Sequence, residues 1–235
     1  MKKLALFAGK KIRDKPFPKY PVITSDEKNA VLEVLESGNL STFVASPGEN
    51  FLGGKKIREF EEKFASYMGT KFAIAFNSAT SALHAAVAAV GVKPGEEVIV
   101  PPYTFTSTAT CVLMHNAIPV FSDVKQDTYC LDPTKLNSNS TSLTRAIIPV
   151  HLFGHPCDMD EIMEIAQKNN YKIIEDCAQA PDATYKGKKV GTIGDCGIFS
   201  FQETKNMMTG EGGMLITNDE EIVNTAQMVR NHGEV

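Results

Sequence analysis

The chain has 235 residues, of which 43% are hydrophobic and 22% are charged, and its formal net charge is −4. This length accommodates one large domain or two small ones, and the composition is that of a folded globular protein. The charge balance excludes the strongly basic surface of nucleic-acid-binding proteins, and the apolar runs are too short to span a membrane. We therefore expect neither nucleic acid nor a membrane as a partner.

The five cysteines are dispersed along the chain and form no C-x-x-C pair. They are Cys111, Cys130, Cys157, Cys177 and Cys196. No cluster of histidine and cysteine at metal-binding spacing accompanies them, so the sequence predicts no metal site. An odd, scattered set is typical of reduced thiols, and we expect a cytoplasmic protein.

Residues 1–23 are predicted to form an extended N-terminal arm, because three prolines between positions 16 and 21 disfavour a helix. Thr24 and Glu27 have the spacing of a capping box, which predicts a helix from this point to Gly38. The apolar face of this helix is predicted to consist of Val31, Leu32 and Leu35.

From residue 71 onward, apolar strands alternate with helices. Strands are predicted at residues 72–76, 97–100, 117–121, 146–150 and 171–174. Helices are predicted at about residues 57–67, 80–90, 106–114, 158–168 and 219–230. Strands of this kind indicate an α/β fold with three layers, in which helices flank both faces of a mostly parallel, mixed sheet. Segments 197–201 and 213–217 follow one another without a helix, so one of these two strands is expected to run antiparallel.

In such sheets the ligand binds at the carboxyl ends of the strands, and the residues there carry functional groups. Residues 77–83 (Asn-Ser-Ala-Thr-Ser-Ala-Leu) place small and hydroxylated residues at a helix start. They suit an anion site, because the first helical N–H groups have no intrahelical partner, but an ordinary N-cap fits equally well. Residues 101–105 (Pro-Pro-Tyr-Thr-Phe) offer two rings, which either stack on a flat ligand or pack beneath the next helix.

Two histidines and a carboxylate follow the later strands. His151 and His155 are each compatible with a general base or with a structural hydrogen bond. Asp176 is the stronger functional candidate, because a carboxylate at the end of a buried strand is costly without a cation or a donor. The alternative is that Asp176 caps the following turn.

Lys205 lies between an apolar strand and the Gly-rich turn at residues 210–213. By itself it could bind a phosphate, form a Schiff base or remain a solvated surface charge. Together, a helix N-terminus, an aromatic ring, an acid and a lysine are what pyridoxal 5′-phosphate (PLP) requires. The nucleotide motifs G-x-G-x-x-G and G-x-x-x-x-G-K-[ST] are both absent from the sequence.

The order of these motifs resembles the DegT/DnrJ/EryC1/StrS family of PLP-dependent sugar aminotransferases, which have the aspartate-aminotransferase fold (fold type I). The resemblance covers about residues 12–235 and rests on seven stretches in order. They are residues 77–83, 101–105, 149–154 with Asp158, 175–180, 185–188 with Gly194 and Asp195, 199–205 and 210–213.

The resemblance implies a role for each of seven residues. Lys205 would be the Schiff-base lysine, and Asp176 would hold the pyridinium nitrogen. Gln179 would hydrogen-bond the phenolic oxygen of the cofactor, and Phe105 would stack on its ring. The phosphate would be bound by the backbone N–H of Ala79 and by Thr80 and Ser200.

The family also implies a function. An amino group would pass from an amino acid, with glutamate the usual donor, to a keto-sugar, expected to be nucleotide-linked, on a homodimer with shared active sites. Sugar dehydratases of the family have histidine at the lysine position, so Lys205 favours transamination. Pro181 and Asp182 replace the small residue or glycine that is usual there.

The family pattern predicts residues 24–235 as the PLP-binding large domain, and the smaller C-terminal domain of the family is expected to be missing. Two alternatives stay open at this stage. One is a catalytically incomplete fragment or regulatory relic of the same fold. The other is a PLP-dependent cyclitol aminotransferase or sugar dehydratase.

Overall fold

The structure, a computed structural model, describes residues 3–40, 43, 48 and 50–234, and these form two compact units that divide after Leu40. The first unit contains a short 3₁₀ turn, Ala5–Phe7, and helix α1 (Ser25–Ser37). Thr24 and Glu27 form the predicted capping box, and Gly38 ends the helix in a left-handed conformation. The apolar face of α1 is exposed, because Val31, Leu32 and Leu35 each keep more than half of their surface accessible.

The second unit is built on a seven-stranded sheet with the strand order β1-β9-β8-β5-β4-β2-β3. The strands are β1 (Phe72–Phe76), β2 (Glu97–Val100), β3 (Ile118–Phe121), β4 (Thr144–Ile147), β5 (Lys172–Asp176), β8 (Cys196–Ser200) and β9 (Gly213–Thr217). β6 (Thr184–Tyr185) and β7 (Lys188–Lys189) form a separate hairpin. The pairs from β3 to β8 are parallel, whereas β9 runs antiparallel to both β8 and β1. The predicted mostly parallel, mixed sheet is confirmed, and β9 is its reversed strand.

In the described part of this unit, six helices accompany the sheet. They are α2 (Lys55–Met68), α3 (Ala79–Ala89), α4 (Ser107–Met114), α5 (Pro133–Asn139), α6 (Met159–Asn169) and α7 (Glu220–Arg230). The sequence analysis missed α5, although Asp132 caps it and Pro133 occupies its first turn. Its short, polar sequence, with Leu136 as its buried apolar side chain, gave no helical periodicity.

Alternate residues of each strand pack on opposite faces of the sheet. Ile74, Val98, Ile198 and Leu215 pack against α3, α4 and α7 on one face. On the other face Ile99, Ile147 and Ile173 pack against α5 and α6, and Phe199 and Met214 pack against α2. Burial on both faces explains why the strands are continuously apolar, and it gives the three layers that were predicted.

The strand boundaries differ from the prediction in two places that matter for the site. β5 continues past Ile174 to Asp176, so this carboxylate is part of the ladder rather than of the following loop. β4 ends at Ile147, and Val150 only forms an isolated bridge with Asp176. Among the described residues, no helix combines the length and apolarity that a bilayer crossing requires.

Candidate active site

A cavity of about 510 Å³ lies at the carboxyl ends of β1, β2, β5 and β8. It is lined by side chains from each of these strand ends and from the loop that follows β8. The structure brings all seven predicted cofactor residues to this one cavity. They are Ala79, Thr80, Phe105, Asp176, Gln179, Ser200 and Lys205.

Asp176 lies at the buried end of the cavity with 5% of its surface exposed. Its Oδ2 accepts a hydrogen bond from Thr108 Oγ1 at 2.9 Å, and its Oδ1 accepts one from the backbone N–H of Ala178 at 3.1 Å. Burial raises the pKa of this carboxyl above its ordinary value of 3.8, and these two hydrogen bonds act in the opposite direction. Asp176 therefore both caps the following turn and presents a carboxylate that a cation in the cavity would stabilise.

The first turn of α3 forms another wall of the cavity. Ser78 is its N-cap, and the Ser78 side chain accepts a hydrogen bond from the N–H of Ser81 at 3.1 Å. Thr80 Oγ1 lies 2.6 Å from Ser107 Oγ at the start of α4. The N–H groups at Ala79 and Thr80 belong to the turn that has no intrahelical acceptors, which makes this wall suited to an anion.

Gly213 allows β9 to pass directly against this turn. It pairs with Phe76 on one side and Ser200 on the other. A Cβ at position 213 would lie 2.4 Å from the carbonyl of Ser78 and 2.5 Å from the nitrogen of Ala79. No side chain fits at such distances, so glycine is required here by close backbone approach.

Lys205 enters the cavity from the loop after β8. Its backbone N–H donates to Gln202 O at 2.8 Å, and Gln202 Oε1 accepts from both the N–H and the hydroxyl of Thr204. Lys205 is the one amine among the described residues that line the cavity. The same cavity thus holds a lysine, a buried carboxylate and a helix N-terminus.

The rings after β2 do not pack beneath α4. Phe105 lines the cavity and is 70% exposed, and Tyr103 is 52% exposed. Of the two interpretations of residues 101–105, the packing alternative is wrong, and Phe105 is accessible to a flat ligand. Tyr103 instead contacts Tyr129 and Phe153, with ring centroids 5.6 Å and 6.5 Å apart.

Gln179 is oriented by the backbone of Phe153. Its Oε1 accepts a hydrogen bond from the Phe153 N–H at 2.9 Å. Phe153 has φ 52° and ψ 24°, a left-handed conformation that is rare for a bulky residue. Because the carbonyl oxygen is used in this way, the amino end of the Gln179 amide is the group that has hydrogens to donate to a ligand.

His151 and Glu175 form a buried pair outside the cavity. His151 Nε2 donates to Glu175 Oε2 at 3.0 Å, and His151 Nδ1 accepts from the N–H of Cys157 at 3.0 Å. The two carboxylate oxygens also accept three backbone N–H bonds, at 2.7 to 2.8 Å, from Gly191, Ile193 and Gly194. His151 is therefore structural, as one of its two interpretations held.

His151, Glu175 and Cys177 also have ligand atoms within 4.8 Å of one another. Both ring nitrogens and both carboxylate oxygens already take part in the hydrogen bonds described above. Burial raises the pKa of the Cys177 thiol well above its ordinary value, which disfavours the thiolate that a metal needs. The cluster is accounted for as a buried hydrogen-bond network.

All five cysteines are free, as predicted, and all five are buried. Burial raises the pKa of Cys111 and of Cys196, so these thiols stay protonated. A hydrogen bond from Cys157 lowers the pKa of Cys130 to about 6, but neither residue lines the cavity.

Residues 21–235 match the model of the DegT/DnrJ/EryC1/StrS aminotransferase family. The chain belongs to this family. The match covers the whole sheet and every residue of the cavity.

Several curated proteins of known sequence are between 38% and 44% identical to this chain. They include the spore coat polysaccharide biosynthesis protein SpsC of Bacillus subtilis, 44% identical over 91% of this chain and 52% of the relative. GDP-perosamine synthase of Caulobacter vibrioides is 44% identical over 91% of this chain and 55% of its own. L-glutamine:2-deoxy-scyllo-inosose aminotransferase of Streptomyces lividus is 38% identical over 99% and 54%. The chain spans about half the length of the curated relatives it matches.

Solved structures of the family share the fold. An aminotransferase from Psychrobacter cryohalolentis superimposes with a TM-score of 0.82 at 43% identity, over 90% of this chain and 51% of that chain. DesV of S. venezuelae, in complex with a ketimine intermediate, has a TM-score of 0.81 at 36% identity. The match covers 89% of this chain and 54% of that chain. NtdA of Bacillus subtilis with bound cofactor PMP has a TM-score of 0.77 at 32% identity. The match covers 91% of this chain and 48% of that chain.

The sequence analysis missed several hydroxylated residues of this family site. Thr104 and Thr108 form a hydrogen-bonded pair beside Asp176, and Ser107 supports Thr80. Thr104, Ser107 and Thr108 were a usable signal, because these hydroxylated residues follow a strand end at helical spacing. Their partner, Asp176, is 68 residues further along the chain, and only the fold brings the two together.

Proposed function

We propose that this chain is the cofactor-binding part of a PLP-dependent aminotransferase, which moves an amino group from an amino acid to a keto-sugar. The observation that carries the proposal is the convergence of Lys205, Asp176 and the first turn of α3 on one cavity. We take glutamate as the donor, as the motifs of the family imply, and a nucleotide-linked keto-hexose as the acceptor, because GDP-perosamine synthase is among the relatives. Residues 24–235 would form the PLP-binding domain, and residues 1–23 an N-terminal arm.

The residues present fit PLP. The cofactor combines a phosphate, a flat ring with a basic nitrogen and an aldehyde, and the cavity offers a matching group for each. Ala79, Thr80 and Ser200 line the end that suits a phosphate, and Phe105 presents an exposed ring face. The buried Asp176 carboxylate, whose pKa is raised by burial, gains from a protonated ring nitrogen opposite it.

Bound PLP would supply an electron-accepting ring and an aldehyde that condenses with amines. Lys205 Nζ would hold the aldehyde end and then, released by the incoming amino acid, accept and return the proton at the substrate Cα. Asp176 would keep the ring nitrogen protonated by facing it with a negative charge. Gln179 would donate its amide N–H to the phenolic oxygen.

A direct test is to mix the purified chain with PLP and record the visible absorbance of a lysine-bound cofactor. We expect the band to appear, to change on addition of glutamate, and to be trapped by borohydride on the peptide that contains Lys205. Lys205→Ala should abolish the trapped product, whereas Lys188→Ala, an exposed lysine outside the cavity, should not. Equal trapping in the parent chain and Lys205→Ala would overturn the proposal.

A second acceptor class is favoured by the cyclitol aminotransferase among the relatives, which acts on a scyllo-inosose by its name. The discriminating measurement compares keto-sugars with keto-inositols as acceptors, with glutamate and glutamine as donors. Turnover of the keto-inositol alone would replace the sugar in our proposal and leave the cofactor site unchanged.

We also infer that the chain forms a homodimer through the surface beside the cavity. Tyr103 contacts both Tyr129 and Phe153 there, and each of the three rings exposes more than half of its surface. Such an exposed aromatic patch is typical of protein interfaces. Light scattering should give the mass of two chains, and the mass of one chain would contradict the dimer.

Free, buried thiols support a cytoplasmic location for the enzyme.

A further inference from the structure

A chain of hydroxyl groups leads from the cavity to the buried carboxylate of Asp176. Thr104 lines the cavity, and its Oγ1 lies 2.9 Å from Thr108 Oγ1. Thr108 Oγ1 in turn donates to Asp176 Oδ2 at 2.9 Å. Thr108 is fully buried on the first turn of α4, so its hydroxyl has exchanged water for these two partners.

The chemistry of the carboxylate sets the direction of this chain. An ionised carboxylate only accepts hydrogen bonds, so Thr108 must give its one hydrogen to Asp176. The oxygen of Thr108 is then an acceptor, and the hydrogen between the two threonines comes from Thr104. Protonation of Asp176 at Oδ2 would reverse both bonds, because Asp176 would become the donor.

Two donors on different oxygens also fix the plane of the carboxylate. Thr108 binds Oδ2, and the backbone N–H of Ala178 binds Oδ1 at 3.1 Å. One donor comes from α4 and the other from the turn after β5, so rotation of the carboxylate would break both contacts. The Asp176 side chain is thus already ordered, and it loses little conformational entropy when a ligand binds.

We propose that Thr108 is a positioning residue, which fixes the Asp176 carboxylate in its ionised form and in the orientation needed for a protonated ring nitrogen. This inference rests on the proposed PLP site. Thr108 lines the cavity, but its role is exerted through Asp176. Thr104 completes the arrangement by supplying the hydrogen that the Thr108 oxygen accepts.

The charged and titratable groups around Asp176 do not make Thr108 redundant. His151 comes from the segment after β4, Lys205 from the loop after β8, and Cys111 from α4. Cys177 follows Asp176 directly and is a protonated thiol. His151 already donates its ring N–H to Glu175, whereas the Thr108 hydroxyl hydrogen-bonds directly to Asp176.

The test compares Thr108→Val, which removes the hydroxyl at constant shape, with Thr108→Ser, which keeps it. Thr110→Val is the matched control, because Thr110 is exposed on the same helix. Two properties are measured: the pH titration of Asp176 by NMR of isotope-labelled aspartate in the cofactor-free chain, and the affinity and visible spectrum with PLP. Melting temperatures establish that each variant is folded, and Asp176→Asn identifies the resonance.

We expect Thr108→Val to shift the Asp176 titration to higher pH, because a hydrogen bond to the charged form is lost. Its affinity for PLP should fall about tenfold. Thr108→Ser and Thr110→Val should behave as the parent chain does. An unchanged Asp176 titration in a folded Thr108→Val, or an equal effect in Thr108→Ser, would overturn the inference. If the parent chain does not bind PLP, the proposed function fails, and the titration still decides whether Thr108 holds Asp176 ionised.

Discussion

Glu175 and Asp176 are consecutive carboxylates at the end of β5, and their surroundings differ completely. Glu175 is fully buried and accepts one hydrogen bond from His151 and three from backbone N–H groups. Asp176 accepts two hydrogen bonds and lines the cavity. Successive residues of a strand point to opposite faces, so one step along β5 separates the structural acid from the acid of the site.

The difference shows how a buried charge reveals its role. A carboxylate whose partners come entirely from the protein is satisfied without a ligand, and it holds the loop at residues 191–194 against β5. A carboxylate with fewer donors, whose pKa burial raises, is poised for a partner from outside. The number of donors, rather than burial itself, separates Glu175 from Asp176.

The largest effect is expected for Glu175→Gln. The amide places hydrogens where the carboxylate accepts N–H bonds, so at least two buried donors lose their acceptor. The free energy of unfolding should fall by about 3 kcal/mol. The melting temperature should then drop by roughly 6 to 12 °C in a scanning measurement. Glu164→Gln, at an exposed position on α6, is the control. If Glu175→Gln melted at the same temperature as the parent chain, Glu175 would not be the structural acid that we distinguish from Asp176.

Asp176→Asn should have the opposite profile, with weaker cofactor binding and no loss of stability. The dissociation constant for PLP should rise about tenfold to a hundredfold, because the charge proposed to face the ring nitrogen is removed. In the cofactor-free parent chain, the pKa of Asp176 is raised above its ordinary value of 3.8, so ionisation of this carboxyl lowers the free energy of unfolding as the pH rises above 3.8. Asn has no such cost, so the stability of the variant relative to the parent should increase with pH.

Chemical denaturation at several pH values measures this trend. A stability difference that is flat with pH, or that decreases as the pH rises, would show that Asp176 is as well satisfied as Glu175.

Gly213→Ala tests the proposed phosphate end of the cavity. The new Cβ would displace Ser78 and Ala79, at a strain cost of about 1 to 3 kcal/mol. We expect PLP affinity to fall about tenfold for each 1.4 kcal/mol that acts on the first turn of α3. Pyridoxal, which lacks the phosphate, should be affected much less. Equal losses for PLP and pyridoxal would place the phosphate away from α3.

Phe105→Leu is expected to have the smallest effect. Leucine keeps an apolar surface but loses the ring face, and stacking contributes about 0.5 to 1.5 kcal/mol beyond buried area. The dissociation constant for PLP should therefore rise about two- to tenfold, as measured by absorbance titration. Phe121→Leu, an exposed ring outside the cavity, is the matched control. A Phe105→Leu protein with parental affinity would count against stacking.

Much of the sheet could be predicted because its strands are buried on both faces. β1, β2 and β9 were predicted with their observed bounds, since a continuous apolar run between polar turns has few alternatives. The short helix α5 and the end of β4 were missed, because neither has a periodic apolar signal. The apolar face of α1 was predicted from periodicity, but the structure leaves it exposed.

The site was predictable in its residue types and not in its support. Asp176 stood out because a carboxylate at the end of a buried strand is costly without a partner, whereas Lys205 gained its predicted role only in combination with the other motifs. The hydroxyl chain through Thr108 could not be inferred, because a buried threonine and an exposed one look alike in a sequence. The same applies to Gly213, whose glycine is needed for contact with α3 rather than for a turn.

The sequence by itself determined the class of fold and the family, through the alternation of apolar strands with helices and the order of motifs at their ends. Only the tertiary structure showed that the adjacent carboxylate, Glu175, is fully satisfied by His151 and by backbone N–H groups. It also showed that His151 is structural, that Phe105 is accessible and that Thr108 supports Asp176. The physical reason is that hydrogen-bond satisfaction depends on donors from distant segments, which chain order does not encode locally.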